Sequence, residues 1–267
     1  MRVKGDGIFS INTSASGGFG NAGISLPETV ADAGGGGDSP PITTDLLVYY
    51  NPEVECYSDD GTTLAVDGDN IRQFNDQSGN GNTLDGSAAA YQPIYDTTTF
   101  SNGLASVKSI NDQLLLTSDL DFNTTTSWTW YMVYKKSANS TIRSWFKNTG
   151  TSNFLRTDQR SSLTGIRTDS GTIRYVTYAD NTDIKIMAIT LDRSNGEFKL
   201  YINGSYIGEG VNPAYYQANP LTYTVNALYA NGNAIMNVGN VLFYTDAHDS
   251  TDVGTMSDWL NTKYSIY

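Results

Sequence analysis

The sequence predicts an all-β fold: two antiparallel sheets packed face to face, a short helix near the C-terminus and an extended N-terminal arm. Three observations predict it. Apolar residues recur at every second position in a series of short runs. Clusters of Gly, Asn, Asp and Ser separate these runs at the spacing of an all-β sandwich. Glu occurs only at positions 28, 53, 55, 197 and 209, so Asp supplies nearly all of the 28 acidic side chains. Asp favours turns and caps, which suits a loop-rich β protein better than a helical one. A chain of 267 residues can bury a sizeable core in one main domain.

Two segments are expected, residues 1–43 and 44–267. The first holds 10 of the 26 Gly and ends in Gly34-Gly35-Gly36-Gly37-Asp38-Ser39-Pro40-Pro41. Four consecutive Gly make a flexible joint, and Pro-Pro stiffens its exit. Ile8, Phe9, Ile11 and Phe19 are scattered among Ser, Gly and Asn with no helical period. They cannot bury enough apolar area alone to offset the entropy of ordering. The segment reads either as a disordered tail or as a docking arm that those four side chains anchor to a partner or to sister copies.

Strands are expected from residue 44 onward. In Trp128-Thr129-Trp130-Tyr131-Met132-Val133-Tyr134, the even positions carry Trp, Trp, Met and Tyr, and Tyr131 and Val133 make the other face apolar too. A strand apolar on both faces is a central one. From Glu197 to Asn203, Phe198, Leu200 and Ile202 alternate with Glu197, Lys199 and Tyr201, as expected for one wet face. Similar runs sit at 46–50, 113–116, 141–146, 172–178, 184–191 and 238–244. Near the end, Val253, Met256, Leu260 and Tyr264 recur at 3, 4 and 4 residue steps, after Asp249 or Ser250 as N-cap. This predicts one helix, closing an end of the sandwich.

Three motifs in order along the chain carry a resemblance. Phe74-Asn75-Asp76-Gln77-Ser78-Gly79-Asn80-Gly81-Asn82 is followed by Gln92-Pro93-Ile94-Tyr95 and then by Ala105-Ser106-Val107-Lys108-Ser109. Phe198-Lys199-Leu200-Tyr201-Ile202 is expected to turn at Asn203-Gly204, a hairpin dipeptide, into a short second strand, Tyr206-Ile207-Gly208. The tail runs from Val241-Leu242-Phe243-Tyr244 to Trp259-Leu260-Asn261-Thr262-Lys263-Tyr264. Together these resemble laminin-G-like, concanavalin A-like jelly-roll domains over roughly residues 45–267. A Trp is more usual in that family where Phe74 stands here. The resemblance implies a binding or structural sandwich, of the kind found in phage virion structural proteins.

Several chemistries are excluded or weakened. One Cys and one His provide neither a disulfide framework nor a Cys/His zinc site. Cys56 reads as a small buried side chain. A net charge of −12 argues against nucleic acid, which needs Lys and Arg against its phosphates. Glycoside hydrolysis needs two carboxylates across the scissile bond. The Glu-x-Asp-x-x-Glu strand of many concanavalin-like glucanases is missing, and Glu53 and Glu55 read as one face of a solvated edge strand. His248, in the turn Asp246-Ala247-His248-Asp249, has no nucleophile to serve and is expected at the surface. Gly17-Gly18-x-Gly20 lacks the Lys-Ser/Thr and the strand-to-helix context of a phosphate loop. The chain is expected to be non-enzymatic.

Two binding chemistries stay open. Asp67, Asp69, Asp76 and Asn80 supply oxygens of the type calcium favours, and equally the turn caps of an Asx-rich stretch. Calcium is therefore the one cofactor considered. Tyr215 and Tyr216, in a loop between Pro213 and Pro220, and Tyr91 and Tyr95, which bracket Gln92-Pro93, are candidate sugar-stacking aromatics. The alternative is that they pack against their neighbours.

No secretory leader pattern and no apolar run long enough for a membrane span is visible. With the resemblance, this makes a virion surface protein the expectation: a capsid decoration protein, head fibre or tail-associated adhesin. It would be made in the host cytoplasm and anchored by its arm to other virion proteins such as a major capsid protein. A host-surface glycan and a homo-oligomer, of which a trimer is one form, are the other expected partners, although no heptad or collagen-like segment encodes assembly. The alternative is a free carbohydrate-binding module.

Overall fold

The structure, a computed structural model, describes residues 39–86, 92–110, 113–121, 127–137, 146–147, 155–160, 163–168, 174–178, 181–211, 224–229 and 235–267. All lie in one compact unit, Gly34–Tyr267. The arm side chains Ile8, Phe9, Ile11 and Phe19 lie outside the described residues.

In chain order the first strands are β1 (Leu46–Tyr50), β2 (Cys56–Tyr57), β3 (Gln73–Phe74), β4 (Leu84–Asp85), β5 (Ile94–Asp96) and β6 (Ser106–Ile110). There follow β7 (Gln113–Asp121), β8 (Ser127–Lys136), β9 (Phe146–Lys147), β10 (Leu155–Arg160), β11 (Leu163–Thr168) and β12 (Arg174–Thr177). The last are β13 (Lys185–Asp192), β14 (Glu197–Ile202), β15 (Ser205–Val211), β16 (Thr224–Tyr229) and β17 (Ile235–Tyr244), before the helix α1 (Ser250–Tyr264).

An eight-stranded antiparallel sheet runs β15-β14-β13-β8-β17-β6-β5, and β1 also pairs with β17. β17 serves two neighbours on one side: Ile235–Val238 meets β6, and Val241–Tyr244 meets β1. A six-stranded sheet runs β2-β3-β4-β7-β16-β9, and β10-β11-β12 form a small third sheet. The expected two-sheet sandwich is the observed architecture. The hairpin β10–β11 had no period-2 apolar signal, because Arg, Asp, Gln and Thr dominate it.

The central strand β8 shows how the core is divided. Trp128, Trp130, Met132 and Tyr134 point into the core between the sheets, where they meet Phe74, Leu84 and Leu120 of the six-stranded sheet. Tyr131 and Val133 point the other way, into a second core with Ile186, Leu242 and Tyr244 beneath α1. Burying an aromatic or aliphatic side chain of this size contributes about 1.5–3 kcal/mol, so both faces of β8 are strongly specified.

Val253, Met256, Leu260 and Tyr264 are the buried stripe of α1, as their spacing predicts. The helix lies on the outer face of the eight-stranded sheet rather than closing an end. The reason is that outer face: Tyr131, Val133, Ile186, Ala188 and Leu242 would otherwise be exposed apolar surface. Asp249 caps the helix by accepting from Thr251 N and Asp252 N at 2.7 and 3.0 Å. Ser265, at φ 52°, ends it, its N–H bonding Asn261 O.

Two devices fix the helix on the sheet. Tyr264 donates to Asn240 Oδ1 at 2.7 Å and accepts from Asn240 N at 3.0 Å, where β17 bulges between Val238 and Val241. Gly239 is required there, since a Cβ would sit 2.6 Å from the Tyr264 hydroxyl. Lys263 bonds Asn51 Oδ1 at 3.1 Å and pairs with Glu53 at 3.3 Å. Glu53 and Glu55 are therefore not one face of a strand: both lie in the β1–β2 turn, with Glu55 at φ 52°. Among the described residues, no helix is long and apolar enough to cross a membrane.

Candidate functional site

The Asx-rich loop 75–82 folds against the start of the chain's first strand. Asp76 Oδ1 accepts from Tyr49 N and Ser78 N, both at 2.9 Å. Its Oδ2 accepts from Ser78 Oγ, Asn82 N and Asn82 Nδ2 at 2.8, 3.1 and 3.3 Å. Asn80 Nδ2 donates to Leu46 O and Leu47 O, and Asn82 Nδ2 donates to Leu47 O. The Tyr50 hydroxyl donates to Asn82 O. Among the described residues β1 has no strand partner on this side, and the loop takes up its backbone groups in place of one.

The other candidate metal ligands also have local partners. Asp67 Oδ1 accepts from Thr97 N and Thr97 Oγ1 at 2.8 and 3.1 Å, and Asp69 Oδ2 accepts from Val66 N at 3.0 Å. Among the described residues, no three His, Cys, Asp or Glu side chains gather as a metal-holding group. Cys56 is buried, and burial pushes its thiol up, away from the reactive thiolate.

Of the candidate aromatics, Tyr95 lies half-buried in β5, packed against the inter-sheet core. Burial first, then the proximity of Cys56 and Glu53, pushes its hydroxyl up to about 12. Tyr91, Tyr215 and Tyr216 lie outside the described residues.

A different group of residues is brought together on the outer face of the eight-stranded sheet. There the register aligns three rows. Tyr131, Ala188, Tyr201 and Tyr206 form one, Thr129, Thr190, Lys199 and Glu209 the next, and Ser127, Asp192 and Glu197 the last. The face is thus apolar under α1 and turns polar toward the β13–β14 turn. Beyond the helix N-terminus it opens into a cleft of about 280 Å³. Its floor is Thr190, Asp192, Glu197, Lys199 and Tyr201, and its wall is His248, Asp249 and Ser250.

Tyr206 stands beside this cleft at 52 % exposure, among the few large apolar or aromatic side chains of the described residues that are so exposed. Its ring meets buried Tyr201 edge to face, with centroids 5.6 Å apart. A bulge in β15 sets its position: Tyr201 pairs with Tyr206, but Leu200 pairs with Gly208. The extra residue, Ile207, brings Tyr206 and Glu209 onto one face although they are three apart, an odd spacing that an unbulged strand would split. The Tyr206 hydroxyl donates to Glu209 Oε2 at 2.9 Å. That bond holds the Glu209 carboxyl below its ordinary value, while loss of water and then the bond push Tyr206 up to about 12. The Lys199 ammonium pairs with Glu197 Oε2 at 3.1 Å, which raises it.

The hairpin that carries Tyr206 is the expected one. Asn203 and Gly204 have φ 51° and 73°, the two positive values of a type I′ turn between Ile202 and Ser205. This conformation is the reason for Gly at 204.

His248 corrects the expectation of a surface position. It is only 8 % exposed. Thr129 Oγ1 accepts from His248 N and donates to Asp246 O, both at 2.8 Å, which pins the turn to β8. The ring lies 4.3 Å from that of Tyr244, and Nδ1 is 2.8 Å from the Tyr131 hydroxyl. Burial lowers the imidazole below its ordinary value against the opposing pull of Asp252, Asp246, Asp249 and Asp45. The ring is therefore neutral near pH 7.

No family model matches this sequence, and no curated protein matches it. Solved structures share its fold. The binding domain of Paraclostridial Mosquitocidal Protein 1 superposes with a TM-score of 0.56 at 10% identity, over 80% of this chain and 52% of that one. The binding domain of botulinum neurotoxin DC, in complex with rat synaptotagmin II, gives 0.57 at 11%, over 82% and 52%. The ligand-binding domain of botulinum neurotoxin serotype D, in complex with N-acetylneuraminic acid, gives 0.54 at 9%, over 81% and 51%. The chain spans about half the length of these domains. At such identities the likeness establishes the β-sandwich fold.

Proposed function

We propose that this chain is a non-enzymatic glycan-binding sandwich, displayed on a larger particle by its Gly-rich N-terminal segment. The observation that carries the binding reading is Tyr206: an exposed ring braced by Tyr201 and Glu209 at the edge of a polar cleft. An aromatic face stacks on the CH groups of a sugar, and polar side chains beside it bond the hydroxyls. The fold supports the reading, since neighbouring sandwiches are binding domains and one is in complex with N-acetylneuraminic acid. A glycan array with the full chain tests it. The expected result is saturable binding that Tyr206→Ala lowers about tenfold without loss of folded structure. A folded protein that binds no glycan overturns the reading.

The display part rests on the first 43 residues and on the resemblance to phage structural domains. In this reading Ile8, Phe9, Ile11 and Phe19 attach the chain to a major capsid protein or another virion protein, and the sandwich faces a host-surface glycan. Deletion of residues 1–36 tests it: the truncated chain should fold and bind glycan but fail to enter particles. Normal incorporation would refute the anchoring role and leave a free carbohydrate-binding module.

A further inference from the structure

We propose that the cleft beside Tyr206 selects sugars that carry no acidic group. In this scheme His248 Nε2–H donates to a sugar oxygen, and the surrounding carboxylates reject carboxylated or sulfated glycans. This rests on the glycan-binding reading above and specifies its ligand class.

The donor assignment follows from the hydrogen bonds beneath the ring. The only partner of the Tyr131 hydroxyl among the described residues is His248 Nδ1. A buried hydroxyl needs an acceptor for its proton, so Tyr131 donates and Nδ1 accepts. The neutral ring then carries its proton on Nε2. Nε2 has no hydrogen-bond partner among the described residues, although the residue is only 8 % exposed and lines the cleft. A donor held this way, by Thr129 from one side and Tyr131 from another, is preorganised for an oxygen acceptor from outside.

The charge around it gives the selectivity. Asp192, Glu197 and Asp249 line the cleft and Glu209 adjoins it, and among the described lining residues the one cation is Lys199, already paired with Glu197. Asp192 and Asp249 are held in place by Ser194 N at 2.8 Å and by the helix N–H groups, so they do not swing away. An anionic sugar would lose its hydration here and meet like charge. A hydroxyl or ammonium group meets acceptors.

The test uses the full chain and matched probes: the neutral glycan that scores highest on an array, the same glycan bearing terminal N-acetylneuraminic acid, and a chitosan oligomer. Calorimetry should show the neutral and amine-bearing probes binding and the sialylated one about tenfold weaker or more. Glu197→Gln with Glu209→Gln should narrow that gap to about threefold. His248→Ala should weaken neutral-probe binding, with partial rescue by His248→Gln, whose amide reaches toward the Nε2 position. Equal or tighter binding of the sialylated probe, still sensitive to Tyr206→Ala, overturns the selectivity and leaves the glycan reading standing. Binding of no probe, or binding indifferent to Tyr206→Ala, overturns both.

Discussion

The loop 75–82 and the cleft beside Tyr206 are both dense in Asp, Asn, Glu and Ser, yet they are opposite in kind. In the loop, Asp76 accepts five hydrogen bonds from Tyr49, Ser78 and Asn82, and the neighbouring amides reach the carbonyls of β1. In the cleft, the polar atoms are braced from behind and open in front, as His248 shows with Nδ1 engaged and Nε2 free among the described residues. A polar cluster that closes on its own backbone is spent on folding. One that is braced but left open is suited to a ligand.

The sharpest way to break this distinction is Asp76→Ala. It strands the buried N–H of Tyr49 and those of Ser78 and Asn82, and charge-assisted bonds of this type are worth about 1.5–3 kcal/mol. Urea denaturation should show a loss of about 3 kcal/mol, with the glycan affinity of the folded fraction unchanged. A small loss would mean that water replaces the carboxylate and that the loop is not a closed network.

Asp96 is a second closed network, and pH tests it. Burial pushes its carboxyl up, but bonds from Thr98 N and Oγ1, Asn237 Nδ2 and Thr99 Oγ1 outweigh that and pull it down to about 2. A carboxyl lower in the folded than in the unfolded chain stabilises fully above its ordinary value of 3.8 and loses that contribution as pH falls toward 2. The loss is about 2 kcal/mol across this window. Denaturant midpoints between pH 5 and pH 2 should fall less steeply in Asp96→Asn than in the parent chain. Parallel curves would exclude Asp96 from the acid limb.

In the open region the expected effects reverse. Tyr206 is half exposed, so Tyr206→Ala should change stability by only about 0.5 kcal/mol, while glycan affinity falls about tenfold. Tyr206→Phe keeps the ring face and should retain most of the affinity. Equal losses from Phe and Ala would move the interaction from the ring to the hydroxyl and Glu209.

How much of this was legible in the sequence depends on the range of the interaction. β8 was legible on both faces because its period of two is strict from Trp128 to Tyr134. The helix was legible from its 3, 4, 4 spacing, and the Asn203-Gly204 turn from its dipeptide. Where the helix docks was not, because that depends on Tyr131, Ile186 and Leu242 presenting a second apolar face together. The cleft was hidden for the same reason. His248 is buried by Tyr131 and Tyr244, more than a hundred residues from it and four residues before it respectively, and nothing in Asp-Ala-His-Asp indicates either. Tyr206 and Glu209 share a face only through a bulge, which period-2 reasoning places on opposite sides. The one usable signal was an aromatic just after the Asn203-Gly204 turn, on the strand that follows one with a wet face.

Calcium gives the smallest expected effect and the finest test of closure. The ion takes 6–8 oxygens at once. Asp67, Asp69 and Asp76 each already have an oxygen bonded to a backbone N–H, and Asn80 turns its amide nitrogen to the carbonyls of Leu46 and Leu47. To bind the metal, the loop would have to exchange those bonds for ligation and release β1 from its partners. The expected outcome of a calorimetric titration is no heat, with the melting temperature unmoved within about 1 °C. A rise of several degrees would show that the loop reorganises around an ion, which would make the closed region a second site for ligand.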